Sequence, residues 1–235
     1  MIQQFMAGTP EAELVRLEAE FEKLAAFPRE ELKEIIRRIG FSCSLCGRCC
    51  TKEYNGHVFL LSADMARVKE FAPEAVEPAP DYPYSDSDGN FYVSGYALKT
   101  KENGDCIFLE NNRCTIYDKR FAICRLYPYM LHREKDARGH LDWRMISGLG
   151  EHGTYENTIA DEEIEKIADE TFAYESAYLK QEIAFHRLLL ETFASRGEKF
   201  VRRDHDARAR ALKKTGHAIV FTFDGEKFVR EETDA

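Results

Sequence analysis

The stretch FSCSLCGRCC, residues 41–50, sets four cysteines within eight positions: Cys43, Cys46, Cys49 and Cys50. Three more follow at Cys106, Cys114 and Cys124. Cys43-x2-Cys46-x2-Cys49 matches the spacing of the three-ligand run of bacterial-type iron–sulfur ferredoxins, in which the remaining ligand comes from elsewhere in the chain. Two residues between ligands let the backbone turn around one metal centre with its N–H groups aimed at sulfur. Gly47 permits a tight turn or a positive φ there. Thiolate is the binding form, and coordination to a cation keeps it ionised beside its neighbours.

The second group, CIFLENNRCTIYDKRFAICRLYP, has Cys106-x7-Cys114-x9-Cys124 spacing. Those gaps fit a loop with a short helix better than the paired Cys-x2-Cys knuckles of a zinc ribbon. Arg113, Arg120 and Arg125 sit among the thiols. A four-thiolate cube carries net negative charge, so Arg120 and Arg125 are expected to border the cofactor and offset it. One [4Fe–4S] cluster or one zinc uses four of the seven thiols. Two clusters would ask for eight ligands, with His57, His132 or a non-protein group completing the set. Neighbouring side chains diverge on an extended backbone, so Cys49 and Cys50 could serve different centres. The spacing favours iron–sulfur over zinc, and either over a metal-free thiol relay.

Together these two stretches resemble the YkgJ-type cysteine-cluster family, described as zinc- or iron-chelating. The family pattern falls on Cys43, Cys46, Gly47, Cys49 and Cys50, then on Cys106, Phe108 and Leu109. It continues through Cys114, Ile116 and Tyr117 to Arg120, Cys124, Arg125, Tyr127 and Pro128. Phe121 stands where the family usually has proline. The resemblance implies a metal ligand set of all seven cysteines and leaves the metal open between iron and zinc. Flagellin lysine N-methylases look like relatives sharing the cluster, which implies a link to S-adenosylmethionine chemistry. The Cys-x3-Cys-x2-Cys run of radical enzymes is absent, because position 53 is Glu53. No Gly-x-Gly-x-x-Gly, Gly-x-Ser-x-Gly, His-Glu-x-x-His or phosphate loop is present either.

The totals frame this reading. The 235 residues are 44% apolar, enough for a real core, and the formal charge is −9. That charge argues against whole-protein binding to nucleic acid or anionic lipid. No apolar run of about 18 residues announces a membrane span. MIQQFMAGTPEAELV has no basic-then-apolar leader, so a cytoplasmic location is expected. In a reducing compartment clustered cysteines suggest metal or redox chemistry, and seven is odd for a disulfide framework.

Along the chain, Thr9–Pro10 is a helix start with Leu14, Leu17, Phe21 and Leu24 at helical spacing. Pro28 opens a second helix carrying Leu32, Ile35, Ile36 and Ile39, which Gly40 ends. After the first cysteines, HVFLLSADMARVKEF reads as a short strand, an N-cap at Ser62 and a helix to about Phe71. Residues 73–90 are expected as a long irregular loop, and 91–99 as one strand. PYMLHREKDARGHLDWRMIS suggests two strands joined around Ala137–Gly139, with His132 and His140 on their surface and Tyr129 and Trp143 packing. A helix runs from Asp161 to about Ser195, and AIVFTFDGEKFVRE is a hairpin around Asp224–Gly225.

The expected fold is one α+β domain over 1–235: an irregular cysteine-rich core with short strands at 41–128, enclosed by helices at 1–40 and by helices and a hairpin at 161–235. Residues 196–215 carry eight Lys or Arg against three Asp or Glu. A solvated or internally paired face is the simplest account, though RNA, an acidic partner or the acidic helix at 161–175 could dock there. The function expected is an iron–sulfur protein in electron transfer or in an oxidoreductase or modification system with a protein partner. A zinc-binding interaction module is the alternative, and an S-adenosylmethionine-dependent protein methyltransferase the second.

Overall fold

The computed structural model describes residues 8–129, 131–132, 145–146, 150 and 152–234. In chain order the helices are α1 (Pro10–Ala25), α2 (Arg29–Ile39), α3 (Lys52–Asn55), α4 (Ser62–Phe71), α5 (Ala122–Leu126), α6 (Asp161–Ser195) and α7 (Arg202–Thr215). The strands are β1 (Phe59–Leu60), β2 (Val76–Pro78), β3 (Tyr84–Ser85), β4 (Phe91–Val93), β5 (Tyr96–Leu98), β6 (Leu109–Glu110), β7 (Arg113–Cys114), β8 (Leu131–His132), β9 (Met145–Ile146), β10 (His217–Phe223) and β11 (Phe228–Asp234). The mixture is α+β with helices at both ends and the cysteines in the middle, as expected. Among the described residues no helix is long and apolar enough to cross a membrane.

The chain divides into two compact units that no single cut in the sequence separates. One holds the chain up to Glu20, Phe59–Lys99 and Leu179 onward; the other holds Phe21–Val58 and Thr100–Tyr178. Residues 59–99, which lie between the two cysteine groups in sequence, therefore belong to the first unit, while all seven cysteines belong to the second.

The first unit contains two sheets, ordered β1-β5-β2 and β11-β10-β4-β3. Every pairing in them is antiparallel except β4 with β10, which is parallel. Phe185, Leu189 and Phe193 recur one helical turn apart on α6 and cluster with Tyr84, Tyr92 and Phe223. Fully burying each of these side chains contributes about 1.5–3 kcal/mol.

Two sequence expectations change here. FYVSGYALK is two strands, because the Gln181 side-chain amide takes the Ser94 carbonyl at 3.0 Å and breaks the run. A Cβ on Gly95 would meet that same amide nitrogen at 2.8 Å and the Phe59 ring at 2.9 Å, so only glycine fits the corner. Residues 73–90 supply strands β2 and β3 in place of a long loop. Pro78 is tolerated because β2 is an edge strand, where a missing N–H can face outward. Between β3 and β4, the buried Asp86 carboxylate accepts from the Asn90 amide N–H (2.9 Å), the Asn90 side chain (2.9 Å), Tyr92 (3.0 Å) and Arg196 (3.3 Å), which orders DSDGN as a turn. A smaller correction concerns Ser62, which is the first helical residue and not the cap. Its N–H and hydroxyl both reach Gln181 Oε1 at 2.9 Å.

His205 of α7 is buried against the Ser85 hydroxyl (3.2 Å) and the rings of Phe91 and Phe200. Burial pushes its imidazole below the ordinary 6.5; Arg202 and Arg208 add to this and Asp206 opposes it. The unfolded chain then binds the extra proton, so stability is present above pH 6.5 and is lost as pH falls through the depressed value. Urea midpoints are expected to drop between about pH 7.5 and about pH 5.5, and His205→Gln to flatten that slope.

In the second unit α2 lies antiparallel to the start of α6. Arg29 pairs with Asp169, Lys33 with Glu165 and Arg37 with Asp161, each one helical turn further along. Surface pairs of this kind, even with Lys33 partly buried, contribute little singly but specify the register. Leu32, Ile35, Ile36 and Ile39 are all buried, as their spacing predicts. The strands expected around residue 137 are β8 and β9, paired antiparallel. Their Ala137–Gly139 connection, His140 and Trp143 lie outside the described residues.

Candidate metal centre

The first cysteine loop starts from a pinned base. Gly40 closes α2 in the left-handed region at φ 54, with its N–H on the Ile36 carbonyl. Asn157 returns two bonds to the Gly40 carbonyl, from its backbone N–H at 3.0 Å and its side chain at 2.8 Å. Ser42 then exchanges backbone bonds with Thr154 at 2.8 and 2.9 Å. The Phe41 N–H donates to the Tyr129 hydroxyl at 3.0 Å. The Phe41 ring meets Tyr127 and Tyr155 edge-on, and Tyr127 stacks on His152 with centroids 4.7 Å apart.

From that base the chain runs out through Cys43 and Cys46, both exposed. Leu45 adopts φ 57, and its N–H points back at Cys43 Sγ at 3.4 Å. Gly47 takes φ 74, the positive value its place in the loop requires, and opens a single 3₁₀ turn over Arg48–Cys50. A Cβ there would press within 3.1 Å of both the Asn112 carbonyl and the Leu109 side chain, so the first loop lies directly against the second group.

Backbone pairing joins the two groups. The Cys106 N–H donates to the Cys50 carbonyl at 2.7 Å, and Lys52 N–H to Gly104 O at 2.8 Å. Beyond Cys106, β6 and β7 form a hairpin that sets Leu109 opposite Cys114. Asn111 and Asn112, at φ 49 and 60, make its two-residue turn, for which paired positive φ values are the natural geometry. The short helix expected in this group is α5, which carries Cys124. Phe121 precedes it at φ −68, after Arg120 at ψ 146. Proline would impose that same φ and extended predecessor, so the departure from the family pattern leaves the backbone path unchanged. The Phe121 ring is fully buried beside Phe108. Phe121→Pro is therefore expected to keep the backbone but lose about 3 kcal/mol of packing in a urea melt.

Amide groups and one guanidinium face the sulfurs. Phe108 N–H bonds Cys106 and Ile116 N–H bonds Cys114, repeating the two-residue offset of Leu45 on Cys43. The Cys49 thiol is brought down to about 7, chiefly by the hydrogen bond from Cys50, with its own amide and Arg120 assisting against burial. Cys50 is pushed up by donating that bond, by burial and by the surrounding Cys49, Cys124 and Cys106. Burial also raises Cys106 and Cys114, and Arg120 counters it at Cys114.

Cys49, Cys50, Cys106, Cys114 and Cys124 thus share one electrostatic neighbourhood with Arg120. The Arg120 guanidinium sits 3.7 Å from the Tyr117 ring centroid and donates to the Tyr117 carbonyl at 2.9 Å. Tyr117 in turn bonds Cys43 through its hydroxyl. Arg125 is exposed and turns to the Arg120 carbonyl (2.8 Å) and Glu170 (3.3 Å). Arg113 is exposed on β7, and His57 is half-buried after α3. His132 falls in β8, where only its backbone is described.

The sulfurs of Cys49, Cys50, Cys106, Cys114 and Cys124 are neighbours and not a closed cage: among the described residues no three His, Cys, Asp or Glu side chains converge tightly enough to hold a metal ion. The donor chemistry nonetheless fits a soft thiolate-seeking metal. All seven cysteines are free, four have N–H donors at sulfur, and a guanidinium lies beside two of them. Sequence reasoning missed the supporting residues Tyr129, His152 and Asn157. Tyr129 was expected only to pack, and nothing local marks 152–157, more than a hundred residues beyond the loop they hold. Tyr117 carried a signal, the Cys-x-Ile-Tyr of the family pattern.

Fold and site together define a thiolate-rich module within a larger α+β chain. Residues 42–144 match the family model CxxCxxCC, described as "Putative zinc- or iron-chelating domain". That match supports metal binding, by zinc or iron, in this segment. No curated protein and no solved structure matches the chain.

Proposed function

We propose that the cysteine-rich unit holds an iron–sulfur centre through thiolates drawn from Cys43, Cys46, Cys49, Cys50, Cys106, Cys114 and Cys124. It exchanges electrons with a protein partner in the cytoplasm, alone or as one component of an oxidoreductase or modification system. The meeting of the two cysteine groups across the Cys50–Cys106 backbone bond carries this reading. Seven thiols exceed the four that one structural zinc takes. When bound, such a centre supplies one-electron transfer. The chain's own part is to present the sulfurs, aim amide N–H groups at them and offset their charge. Arg120 does the last of these beside Cys49 and Cys114, while Arg125 holds the Arg120 backbone from Glu170.

Anaerobic purification with iron, sulfide and zinc analysis tests the proposal, together with paramagnetic resonance of the reduced protein. Brown protein containing iron and acid-labile sulfide in similar amounts is expected. About four irons per chain would mark one cluster and about eight would mark two. Colourless protein retaining zinc alone would replace this reading with a metal-stabilised interaction module.

A further inference from the structure

We propose that the outward face of α7 is a docking surface for an acidic segment of a partner protein. The inward face of this helix is already committed. His205 meets Ser85, Arg208 donates to the Ser87 carbonyl at 2.8 Å, and Arg202 donates to the Gly8 carbonyl at 2.9 Å. Ala209 and Leu212 pack on the core around Phe91 and Val220. Outward, Arg203, Ala207, Arg210, Ala211 and Lys214 are exposed at the spacing of a single helical stripe, with exposed Lys213 beside them.

Helix stability does not account for this stripe. Arg203 lies in the first turn, where the helix dipole disfavours a cation. Arg210 and Lys214 stand four residues apart, a spacing at which like charges repel. Among the described residues Arg203 pairs only with its half-buried sequence neighbour Asp204, at 3.3 Å. Among the described residues Arg210, Lys213 and Lys214 have no carboxylate partner. The cations are kept against the interests of the helix, which points to something outside the chain.

The partner's chemistry follows from the stripe. It spans about 16 Å from Arg203 to Lys214, with small alanines between its cations that let another backbone approach. No aromatic ring lies on it to stack bases, and no apolar face is left to enter a bilayer. The chain as a whole is −9, so a long polyanion would run off the stripe into repulsion, whereas a short acidic segment matches its length.

Fluorescence anisotropy of the full chain with a labelled glutamate–alanine helical peptide tests this, against single- and double-stranded DNA and phosphatidylserine vesicles. The wild type is expected to bind the peptide more tightly than the other probes, with affinity falling as salt rises. Arg203→Glu/Arg210→Glu places an acid in the first turn and opposite Lys213 and Lys214, so its thermal midpoint is expected to equal or exceed the wild-type value. Its peptide affinity is expected to fall about tenfold or more. Arg203→Gln/Arg210→Gln, which removes charge without reversing it, is expected to lie between. Wild-type affinity in the Glu variant, or tighter binding of DNA or vesicles than of peptide, overturns the proposal.

Discussion

Cys106→Ser is expected to lower metal affinity by more than about a hundredfold, beyond the ~10–100-fold typical of losing a partner in the outer shell of a metal site. Cys106 is the one buried thiol of the seven, and its backbone N–H is the bond that ties the second group to Cys50. Serine keeps nearly the same volume and the same N–H, so the backbone junction survives while a soft ligand becomes a hard, protonated one. Cobalt-thiolate absorption with chelator competition measures the change without reference to any activity. Affinity equal to wild type would remove Cys106 from the ligand set. The same linkage makes metal removal a stability experiment. With ligands drawn from both segments as proposed, binding free energy becomes folding free energy, so chelation is expected to expose residues 41–58 and 100–128 to protease.

Gly40→Ala is expected to destabilise the cysteine-rich unit by about 3 kcal/mol. Two costs combine at this position. The backbone stands at φ 54, and an added Cβ would lie 2.3 Å from the Asn157 carbonyl oxygen and 2.6 Å from its nitrogen. Those are backbone atoms in the segment that anchors the cysteine loop, so relief requires moving the anchor. Gly197→Ala provides the contrast, since Gly197 has a similar φ of 68 with nothing near its missing Cβ. There only the conformational cost of about 1 kcal/mol is expected. Urea melts of the two variants separate strain from clash, and equal losses would mean that Asn157 is not the anchor.

The elements legible in the sequence are those whose signals are local. Pro28, four apolar residues at helical spacing and Gly40 define α2 because capping, periodicity and termination all lie within one helix. The acidic opening of α6 and the Asp224–Gly225 turn are similar cases. Three features escaped because their causes are remote. Gln181 breaks residues 91–99 into two strands from more than eighty positions away. The prolines of 73–90 suggested irregular chain, yet one of them sits on a sheet edge where its lost N–H is harmless. At the cysteine cluster the positive φ of Gly47 could be read from spacing, but the Ser42–Thr154 pairing and Asn157 bonds belong to a segment with no pattern of its own. Arg120 and Arg125 look alike in sequence; Glu170, on another helix, draws Arg125 aside.

The parallel pairing of β4 with β10 has a consequence for biosynthesis. Phe91 waits for Val220, more than a hundred residues downstream, before its sheet can close. Every segment of the cysteine-bearing unit, by contrast, has been translated once Tyr178 leaves the ribosome. Thiols are thus gathered while the remaining polypeptide is still being made, so the proposed centre would load before the other half is complete.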